Sequence, residues 1–242
     1  MEIGNWVRTI IGRILLIVFM ILYLPFFAAI AVVSKERLYK SKLFFFLGDV
    51  LYRFSLWATF LPITIIGKEN IPDGPVIFAA NHQSSLDIPI LGTLTKKRPH
   101  VWLATIDLMK SFFLRRMVKA AVLVDMTTPL KGMRSLLEAI KIINENKTLS
   151  VMIFPEGGRY TDGKVHDFFA GFVILAQKTG LPIVPVYIHG VNYAYPPKQF
   201  LMRKVPIIVI IGKPFIHQEG TDYEEFKNQI HQWFVQQNEQ MR

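Results

Sequence analysis

An uncharged run of 20 residues, positions 14–33, constrains the fold of this chain more than any other feature. As a helix, such a run crosses about 30 Å of hydrocarbon, and membrane helices tolerate a proline such as Pro25. A secretory signal peptide is the alternative, with Arg8 and Arg13 as its basic flank. However, the run is long for a signal peptide core, and residues 34–37 offer no small-residue cleavage site. We therefore predict an N-terminal membrane-embedded helix.

A second apolar stretch, residues 43–66, is interrupted by Asp49 and Arg53 and is rich in aromatic side chains. This composition is more typical of an interfacial or partly embedded helix than of a clean span. Four basic residues separate the two stretches: Lys35, Arg37, Lys40 and Lys42. They outnumber Arg8 and Arg13, so a spanning first helix would place the rest of the chain in the cytoplasm. A monotopic hairpin that dips into one leaflet fits the sequence equally well.

Charge and cysteine content limit the classes of function. The 242 residues suffice for one large α/β domain and a short appendage. A net charge of +10 indicates an anionic partner, such as membrane headgroups, phosphorylated substrates or nucleic acid. The basic residues are dispersed and form no recognisable nucleic-acid-binding module, so we expect no nucleic acid partner. The absence of cysteine excludes disulfides, thiolate metal sites and thiol catalysis.

After residue 66, short apolar runs alternate with amphipathic stretches. The candidate strands are residues 76–80, 101–105, 121–124, 149–154, 183–188 and 205–211. The candidate helices are residues 86–95, 108–119, 130–146, 171–179 and 223–237. This alternation predicts an α/β fold with a mostly parallel sheet flanked by helices. We divide the chain into N-terminal membrane-anchoring helices, residues 1–66, and a second domain, residues 67–242.

The first candidate strand is followed by Asn-His-Gln-Ser-Ser-Leu-Asp, where ligands of parallel sheets bind. His82 titrates near neutral pH and can accept a proton from a hydroxyl, while Asp87 can fix its tautomer. Residues five apart diverge on a helix, so the two meet only if His82 precedes the helix and Asp87 lies in its first turns. Ser84 and Ser85 are natural N-caps of that helix. The alternative is a capped helix start, in which Asp87 favours the positive end of the dipole.

A metal site is not expected at this segment. Two ligands do not fill a coordination sphere, and no further cluster of His or Asp lies close in sequence. No serine or cysteine nucleophile is obviously supplied either, so the attacking hydroxyl can belong to a substrate.

A second motif, Phe-Pro-Glu-Gly-Gly-Arg, ends at Arg159. Pro155 and the two glycines force a turn whose backbone N–H groups can approach a ligand. Arg159 offers a planar fork suited to phosphate, and Glu156 can hydrogen-bond a substrate hydroxyl. The alternative is an ordinary surface turn with a solvated ion pair.

A third motif places Pro182 and Pro185 in an apolar strand-like run, residues 181–186. Proline lacks the N–H that a central strand needs, which implies an edge position, a bulge or a strand start. Such a segment can wall an apolar groove, or it can be a buried strand start and nothing more.

Together, in this order, the three motifs resemble the glycerolipid acyltransferase family, in particular its bacterial 1-acyl-sn-glycerol-3-phosphate members. The family's first block, Asn-His-x-x-x-x-Asp, is matched by Asn81, His82 and Asp87. Its third block, Phe-Pro-Glu-Gly-Thr-Arg, is matched except that Gly158 replaces the threonine. Its fourth, a Val-Pro-x-x-Pro-Val strand, is matched with a leading leucine. The resemblance covers about residues 67–215, and the N-terminal hydrophobic helices also suit the family.

Two cations of the family pattern are missing. In the second block, Ala120 replaces a glycine and Met126 an arginine. Where a lysine commonly follows the third block, this chain has Phe169 and Ala170. These departures leave the acceptor open. Other cations that can compensate are Arg115, Arg116, Lys119, Lys131, Arg134 and Lys164.

The resemblance implies a membrane-bound O-acyltransferase of phospholipid biosynthesis. It would move a fatty acyl group from acyl-CoA or acyl carrier protein to the hydroxyl of a lysolipid. The expected acceptor is 1-acylglycerol-3-phosphate, which gives phosphatidic acid. His82, oriented by Asp87, is the expected general base, without an acyl-enzyme intermediate. No metal or cofactor is implied.

The remaining roles also follow from the resemblance. Asn81, Glu156, Gly157 and Arg159 are expected to bind substrate, with Asn81 or a backbone N–H at the oxyanion. The segment of Pro182 and Pro185 is expected to shape the acyl groove.

The expected partners are membrane lipids, the acyl donor and the lysolipid. The expected location is the inner, cytoplasmic membrane, with the catalytic domain facing the cytoplasm. Two alternatives stay open: an acceptor that is another lysophospholipid or an aminoacyl lipid, and a lipid-binding protein without turnover.

Overall fold

The computed structural model describes residues 2–106, 121–125 and 127–241. We number the helices described in it α1 to α9. They are α1 Glu2–Leu22, α2 Leu24–Val32, α3 Lys35–Lys40, α4 Lys42–Trp57, α5 Asp87–Thr93, α6 Pro129–Glu145, α7 Gly171–Thr179, α8 Val191–Ala194 and α9 Tyr223–Gln240. The strands are β1 Ile63–Ile66, β2 Ile77–Ala80, β3 His100–Thr105, β4 Val122–Val124, β5 Ser150–Ile153, β6 Ile183–His189 and β7 Ile207–Ile211.

The seven strands form one sheet in the order β1-β7-β6-β2-β5-β3-β4. All neighbouring strands are parallel except β6 and β7, which are antiparallel. Five strands from β6 to β4 therefore share one direction, and β7 and β1 run against them. The predicted mostly parallel sheet is confirmed.

Helices cover both faces of the sheet because the buried strands alternate in side-chain direction. In β2, Ile77 and Ala79 pack in a cluster with α6, α7 and α9, together with Tyr39 and Phe45 of α3 and α4. Phe78 packs on the other face, with α5 and α8. This fully buried strand carries the site at its carboxyl end.

The second apolar stretch contains more than the predicted helix. Helix α4 ends at Trp57, Phe60 has a positive φ of 53°, and the chain then forms β1 beside β7. Along β1, burial alternates residue by residue, as expected of a strand with one covered face. The sheet thus begins four residues before Gly67, while the division into two domains stays a prediction. The candidate helix at residues 108–119 lies outside the described residues.

The predicted helix over residues 14–33 is interrupted at Tyr23, two residues before Pro25, while Tyr23 keeps helical φ and ψ and its carbonyl accepts the Phe27 N–H at 3.1 Å. Helix α1 ends at Leu22, and Pro25 lies in the first turn of a separate helix, α2. Proline has no N–H to continue the preceding hydrogen-bond ladder, but it suits a helix start. Within the described chain, one helix is long and apolar enough to cross a membrane, Ile3–Leu22.

The N-terminal half of α1 packs against the rest of the protein. Arg8 and Thr9 hydrogen-bond the backbone of Met202, and Arg13 donates to the Phe200 carbonyl at 2.7 Å. A Cβ at Gly12 would lie 2.1 Å from the carbonyl oxygen of Ala58, so only glycine allows this approach. Both arginines of α1 therefore bond to protein, while most of its large apolar side chains stay exposed.

Candidate active site

Two of the three predicted motifs meet at one edge of the sheet, whereas the third, residues 181–186, forms the start of β6. β2, β5 and β6 are adjacent and parallel, so their carboxyl ends lie side by side. Residues 81–87 follow β2, and the Phe-Pro-Glu-Gly-Gly-Arg turn follows β5. This edge is where open α/β sheets bind ligands.

His82 and Asp87 form a direct hydrogen-bonded pair. The distance from His82 Nδ1 to Asp87 Oδ2 is 2.8 Å. The same carboxylate oxygen accepts the backbone N–H groups of Gln83, at 2.6 Å, and Ser84, at 2.8 Å. Asp87 is fully buried, whereas 13% of the His82 side chain is exposed. The carboxylate therefore fixes one ring nitrogen and leaves Nε2 to exchange a proton with a ligand.

The pair meets as predicted, with His82 before the helix and Asp87 as the first residue of α5. The predicted N-cap is wrong. Leu86 is the N-cap and supplies no side-chain bond, because Asp87 itself folds back onto the loop. Ser84 instead donates to the Tyr195 carbonyl at 2.6 Å, and Ser85 is exposed.

The ring of Phe154 packs against the face of the His82 imidazole. The two rings are stacked, with centroids 3.9 Å apart and planes 9° apart. Trp102 packs on Phe154, and its Nε1 donates to the Tyr52 hydroxyl of α4 at 2.9 Å. The motif showed Phe154 as the end of a strand. Its contact with His82 depends on β2 and β5 being neighbours, which no signal in the sequence indicates.

Asn81 links β2 to β6 across the sheet edge. Its amide nitrogen donates to the Ile188 carbonyl at 2.9 Å, and its amide oxygen accepts the Ile188 N–H at 2.7 Å. Asn81 is 3% exposed. These contacts favour a role for Asn81 in positioning the loop rather than the predicted contact with substrate.

Glu156 joins the two motif loops. Its Oε1 accepts the His82 N–H and its Oε2 accepts the His166 N–H, both at 3.2 Å. The Tyr160 N–H also bonds the His82 carbonyl, at 3.0 Å. Burial raises the pKa of Glu156 from 4.5 to about 7, although the two N–H donors act to lower it. With 3% exposure, this carboxyl group positions the loops rather than facing solvent.

The raised pKa of Glu156 predicts a pH-dependent stability. Between pH 4.5 and about 7 the folded protein binds a proton that the unfolded chain has lost. The free energy of unfolding should therefore fall as pH rises through this window, by roughly 3 kcal/mol in total. In detergent solution, the slope of Tm against pH should flatten in Glu156→Gln and stay unchanged in Glu219→Gln. Equal slopes in the wild type and Glu156→Gln would contradict the shift.

The glycine turn leaves Arg159 free at the edge of the site. Gly157 has a φ of 69°, and a Cβ there would lie 2.4 Å from the ring of Phe169. Glycine is required at this position on both counts. Arg159 is exposed, and no described residue forms an ion pair with it. It is therefore available to an anionic ligand, and phosphate binding at this residue stays a prediction.

β6 is an interior strand that contains Pro185, and for this residue the structure supports the bulge, whereas Pro182 lies at the strand start, immediately before Ile183. Val186 faces Ile211, and Ile183 faces Phe215. Two residues of β6, positions 184 and 185, thus oppose three residues of the partner segment, positions 212–214. The N–H that Pro185 lacks would therefore lie where the strand pairing is already irregular. An edge position is excluded.

An apolar cavity of about 720 Å³ lies beside the site, within the range of ligand pockets, about 300–1,000 Å³. Its walls come from β3, β4, β5, α6 and α7, and they include Phe154 and Gly157. Pro182 and Pro185 are not among its lining residues, so these prolines do not wall this cavity. The sequence missed the cavity because its walls come from five separate elements. A smaller apolar hollow of about 350 Å³ lies along α1 and α2.

The described residues leave out two departures from the second block of the family pattern and three of the cations that can compensate for them. These positions are Ala120, Met126, Arg115, Arg116 and Lys119. Lys131 pairs with Asp125 at 3.4 Å, and Lys164 is exposed. Phe169 and Ala170 immediately precede α7. Among the residues that the structure describes, no group of three or more His, Cys, Asp or Glu side chains is placed to hold a metal ion.

Comparison with known proteins connects this geometry to a family. Residues 62–189, more than half of the chain, match the family model described as Acyltransferase. This chain belongs to the acyltransferase family. The matched span contains both motif loops and β6, so the prediction of an acyltransferase enzyme is confirmed.

Curated relatives of this acyltransferase carry one activity in their names. The 1-acyl-sn-glycerol-3-phosphate acyltransferase of Limnanthes douglasii is 29% identical over 78% of this chain and 67% of its own length. The chloroplastic enzyme of that name from Brassica napus is 32% identical, over 91% and 62% of the two chains. The one from Borreliella burgdorferi is 31% identical, over 62% and 60%. The matches thus span about two thirds or less of these relatives.

The acyltransferase also resembles a solved structure over its whole length. The crystal structure of the 1-acyl-sn-glycerophosphate acyltransferase from Thermotoga maritima matches with a TM-score of 0.78 and 24% identity. The match covers 100% of this chain and 98% of the other. At this identity the likeness establishes the fold.

Proposed function

We propose that this acyltransferase transfers a fatty acyl group from a thioester, acyl-CoA or acyl carrier protein, to the hydroxyl of 1-acylglycerol-3-phosphate. The product is phosphatidic acid. The observation that carries the proposal is the His82–Asp87 pair, held at 2.8 Å beside an apolar cavity. The names of the curated relatives support the acceptor.

In this mechanism, His82 Nε2 removes the proton from the acceptor hydroxyl. The oxygen attacks the thioester carbonyl and forms a tetrahedral intermediate, while Asp87 stabilises the imidazolium. Collapse of the intermediate forms the ester and breaks the carbon–sulfur bond. The imidazolium returns its proton to the departing thiolate. No covalent bond to the enzyme is required, and His82 is regenerated.

The cavity supplies the place for the acyl chain. Its lining is mostly apolar, and it reaches Phe154, whose ring stacks on His82. A chain inserted there would carry its carbonyl carbon towards the imidazole. We therefore assign the acyl groove to this cavity rather than to the segment of Pro182 and Pro185.

The location proposed for this reaction is a membrane surface. The acceptor and the product are lipids, and α1 is long and apolar enough to cross a bilayer. The bonds of Arg8 and Arg13 to Met202 and Phe200 hold the N-terminal half of α1 against the catalytic domain, which favours the monotopic alternative over a simple span. We retain the cytoplasmic face of the inner membrane as the proposed side.

A phosphate bound by Arg159 predicts a defined kinetic effect. Replacing Arg159 with alanine removes charge-assisted hydrogen bonds of about 1.5–3 kcal/mol, so the acceptor KM should rise roughly 10- to 100-fold. The kcat should change little, because the phosphate takes no part in bond making or breaking and its contact with Arg159 is the same in the ground state and the transition state. The matched control is Lys178→Ala, an exposed cation at the last turn of α7.

The acceptor panel for this experiment contains 1-acylglycerol-3-phosphate and lysophospholipids with larger headgroups. An unchanged KM for 1-acylglycerol-3-phosphate in Arg159→Ala would contradict phosphate binding at this residue. Preference of the wild type for a larger headgroup would replace the acceptor while keeping the chemistry. Absence of transfer to every acceptor would favour a lipid-binding protein without turnover.

Filling the cavity should shorten the preferred acyl chain. Leu136 of α6 lines the cavity, and a tryptophan there would exclude methylene groups worth about 0.8 kcal/mol each. In Leu136→Trp, the ratio of kcat/KM for a 16-carbon donor to that for a 10-carbon donor should fall at least about tenfold. Leu137→Trp is the control, because Leu137 is exposed and does not line the cavity. Equal ratios in both variants would remove the acyl chain from this cavity.

A further inference from the structure

The cavity opens through an apolar rim. Three of its lining side chains are also exposed: Ile106 by 39%, Met133 by 51% and Phe169 by 53%. Leu130, one turn before Met133 on α6, is exposed by 62%. We name these four residues the mouth patch. A rim of large exposed apolar groups beside an apolar cavity is typical of an interaction surface.

The mouth patch lies at the same edge of the sheet as the contacts of α1. Met202 and Phe200, which bond the polar groups of α1, lie between the carboxyl end of β6 and the amino end of the antiparallel β7. Ile106 follows the carboxyl end of β3, and α6 starts beyond that of β4. Because β3, β4 and β6 share one direction, both features face the same end of the molecule.

Aromatic packing also connects α6 with the N-terminal helices. Phe26 of α2 contacts Phe44 of α4, and Phe44 contacts Phe45. Phe45 is buried in one cluster with Ala139 and Ile143 of α6. These contacts reach α6 in its C-terminal half, whereas Leu130 and Met133 lie in its first two turns.

Charges around the mouth patch suit anionic headgroups. Lys131 and Arg134 flank its α6 residues and are exposed. Lys131 pairs with Asp125, while Arg134 forms no ion pair with any residue that the structure describes. Exposed apolar groups interspersed with basic ones are characteristic of helices that lie in a membrane interface.

We propose that the mouth patch is a second membrane contact, in which an anionic bilayer covers Ile106, Leu130, Met133 and Phe169. The cavity then opens into the lipid. The path of the acyl chain is the part of this proposal that rests on the proposed function. The chain enters the cavity from the hydrocarbon of the bilayer without crossing water. The contact is strongest at the start of α6 and is lost along the helix. Lys141, eleven residues beyond Leu130, lies about 16 Å further from the edge.

The chain has no cysteine, so a single introduced cysteine can carry a nitroxide label in the full-length protein. The test position is Leu130→Cys. The matched controls are Lys141→Cys on the exposed side of the same helix and Ile216→Cys, beside Phe215 at the opposite edge of the sheet. Ile17→Cys, exposed on α1, is the positive control.

Each labelled protein is reconstituted with vesicles of equal parts phosphatidylcholine and phosphatidylglycerol. Electron paramagnetic resonance then compares collisions of the label with oxygen, which partitions into lipid, and with a water-soluble nickel complex. The ratio of oxygen to nickel accessibility should rise several-fold at positions 130 and 17 on adding vesicles. It should stay low at positions 141 and 216. Thermal unfolding in detergent confirms that each labelled protein is folded.

A label at position 130 that stays as accessible to nickel as the label at 216 would overturn the proposal. Shielding by acyl carrier protein, without any effect of vesicles, would overturn it in favour of a protein partner. The measurement needs no turnover. Insertion of the label in a protein without transferase activity would therefore refute the proposed function and support the membrane contact. Transferase activity without insertion of the label would support the proposed function and refute the membrane contact.

Discussion

Replacing His82 with alanine should lower kcat for acyl transfer by about 10²–10⁴-fold, the usual contribution of a general base. Among the residues that the structure describes, only Asp87 hydrogen-bonds this side chain, and 13% of it is exposed. The loss should therefore appear in kcat with little change in the KM of either substrate. Steady-state assays with acyl-CoA and 1-acylglycerol-3-phosphate measure both constants.

His217→Ala is the control for this variant, because its ring lies beside Phe226 of α9 and away from both motif loops. We expect wild-type kcat in the control and similar Tm values in both variants. Activity of His82→Ala near that of the wild type would exclude His82 as the general base and would undermine the whole mechanism.

Replacing Asp87 with asparagine should have two effects of different origin. The kcat should fall at least about 10²-fold, because an amide no longer stabilises the imidazolium and can favour the wrong tautomer of His82. Stability should also fall, by about 1–3 kcal/mol, since the carboxylate accepts two buried backbone N–H groups besides the His82 ring.

The two effects separate experimentally. Asp73→Asn, an exposed carboxylate elsewhere on the surface, should leave both kcat and Tm unchanged. At a temperature where Asp87→Asn is fully folded, its kcat should remain low. Recovery of wild-type kcat under those conditions would show that Asp87 serves the fold alone and does not orient the base.

The sequence predicted most of the secondary structure because its signals are local. Apolar runs bounded by turn residues marked six of the seven strands within a few residues, and the helix at residues 171–179 was located without error. β1 was missed because its four residues continue the apolar stretch that forms α4, and composition alone does not separate them. The interruption at Tyr23 lies where a proline is expected to distort a helix, since Pro25 has no N–H for the hydrogen-bond ladder.

The site shows the same division. The meeting of His82 with Asp87 was predictable, because five residues of one loop leave few ways for the two side chains to approach each other. Glu156 is 74 residues from His82 in sequence, and its bond to the His82 backbone follows from the adjacency of β2 and β5. Its raised pKa follows from burial, which the sequence does not show.

The sequence by itself determined the family, the pairing of His82 with Asp87, the glycine turn before Arg159 and the apolar N-terminus, since each depends on residues close together along the chain. The tertiary structure alone decided the stacking of Phe154 on His82, the hydrogen bonds between Asn81 and the Ile188 backbone, and the position of the cavity. The reason is physical. Strand order and helix packing bring distant segments together through many weak contacts, and no single segment encodes that arrangement.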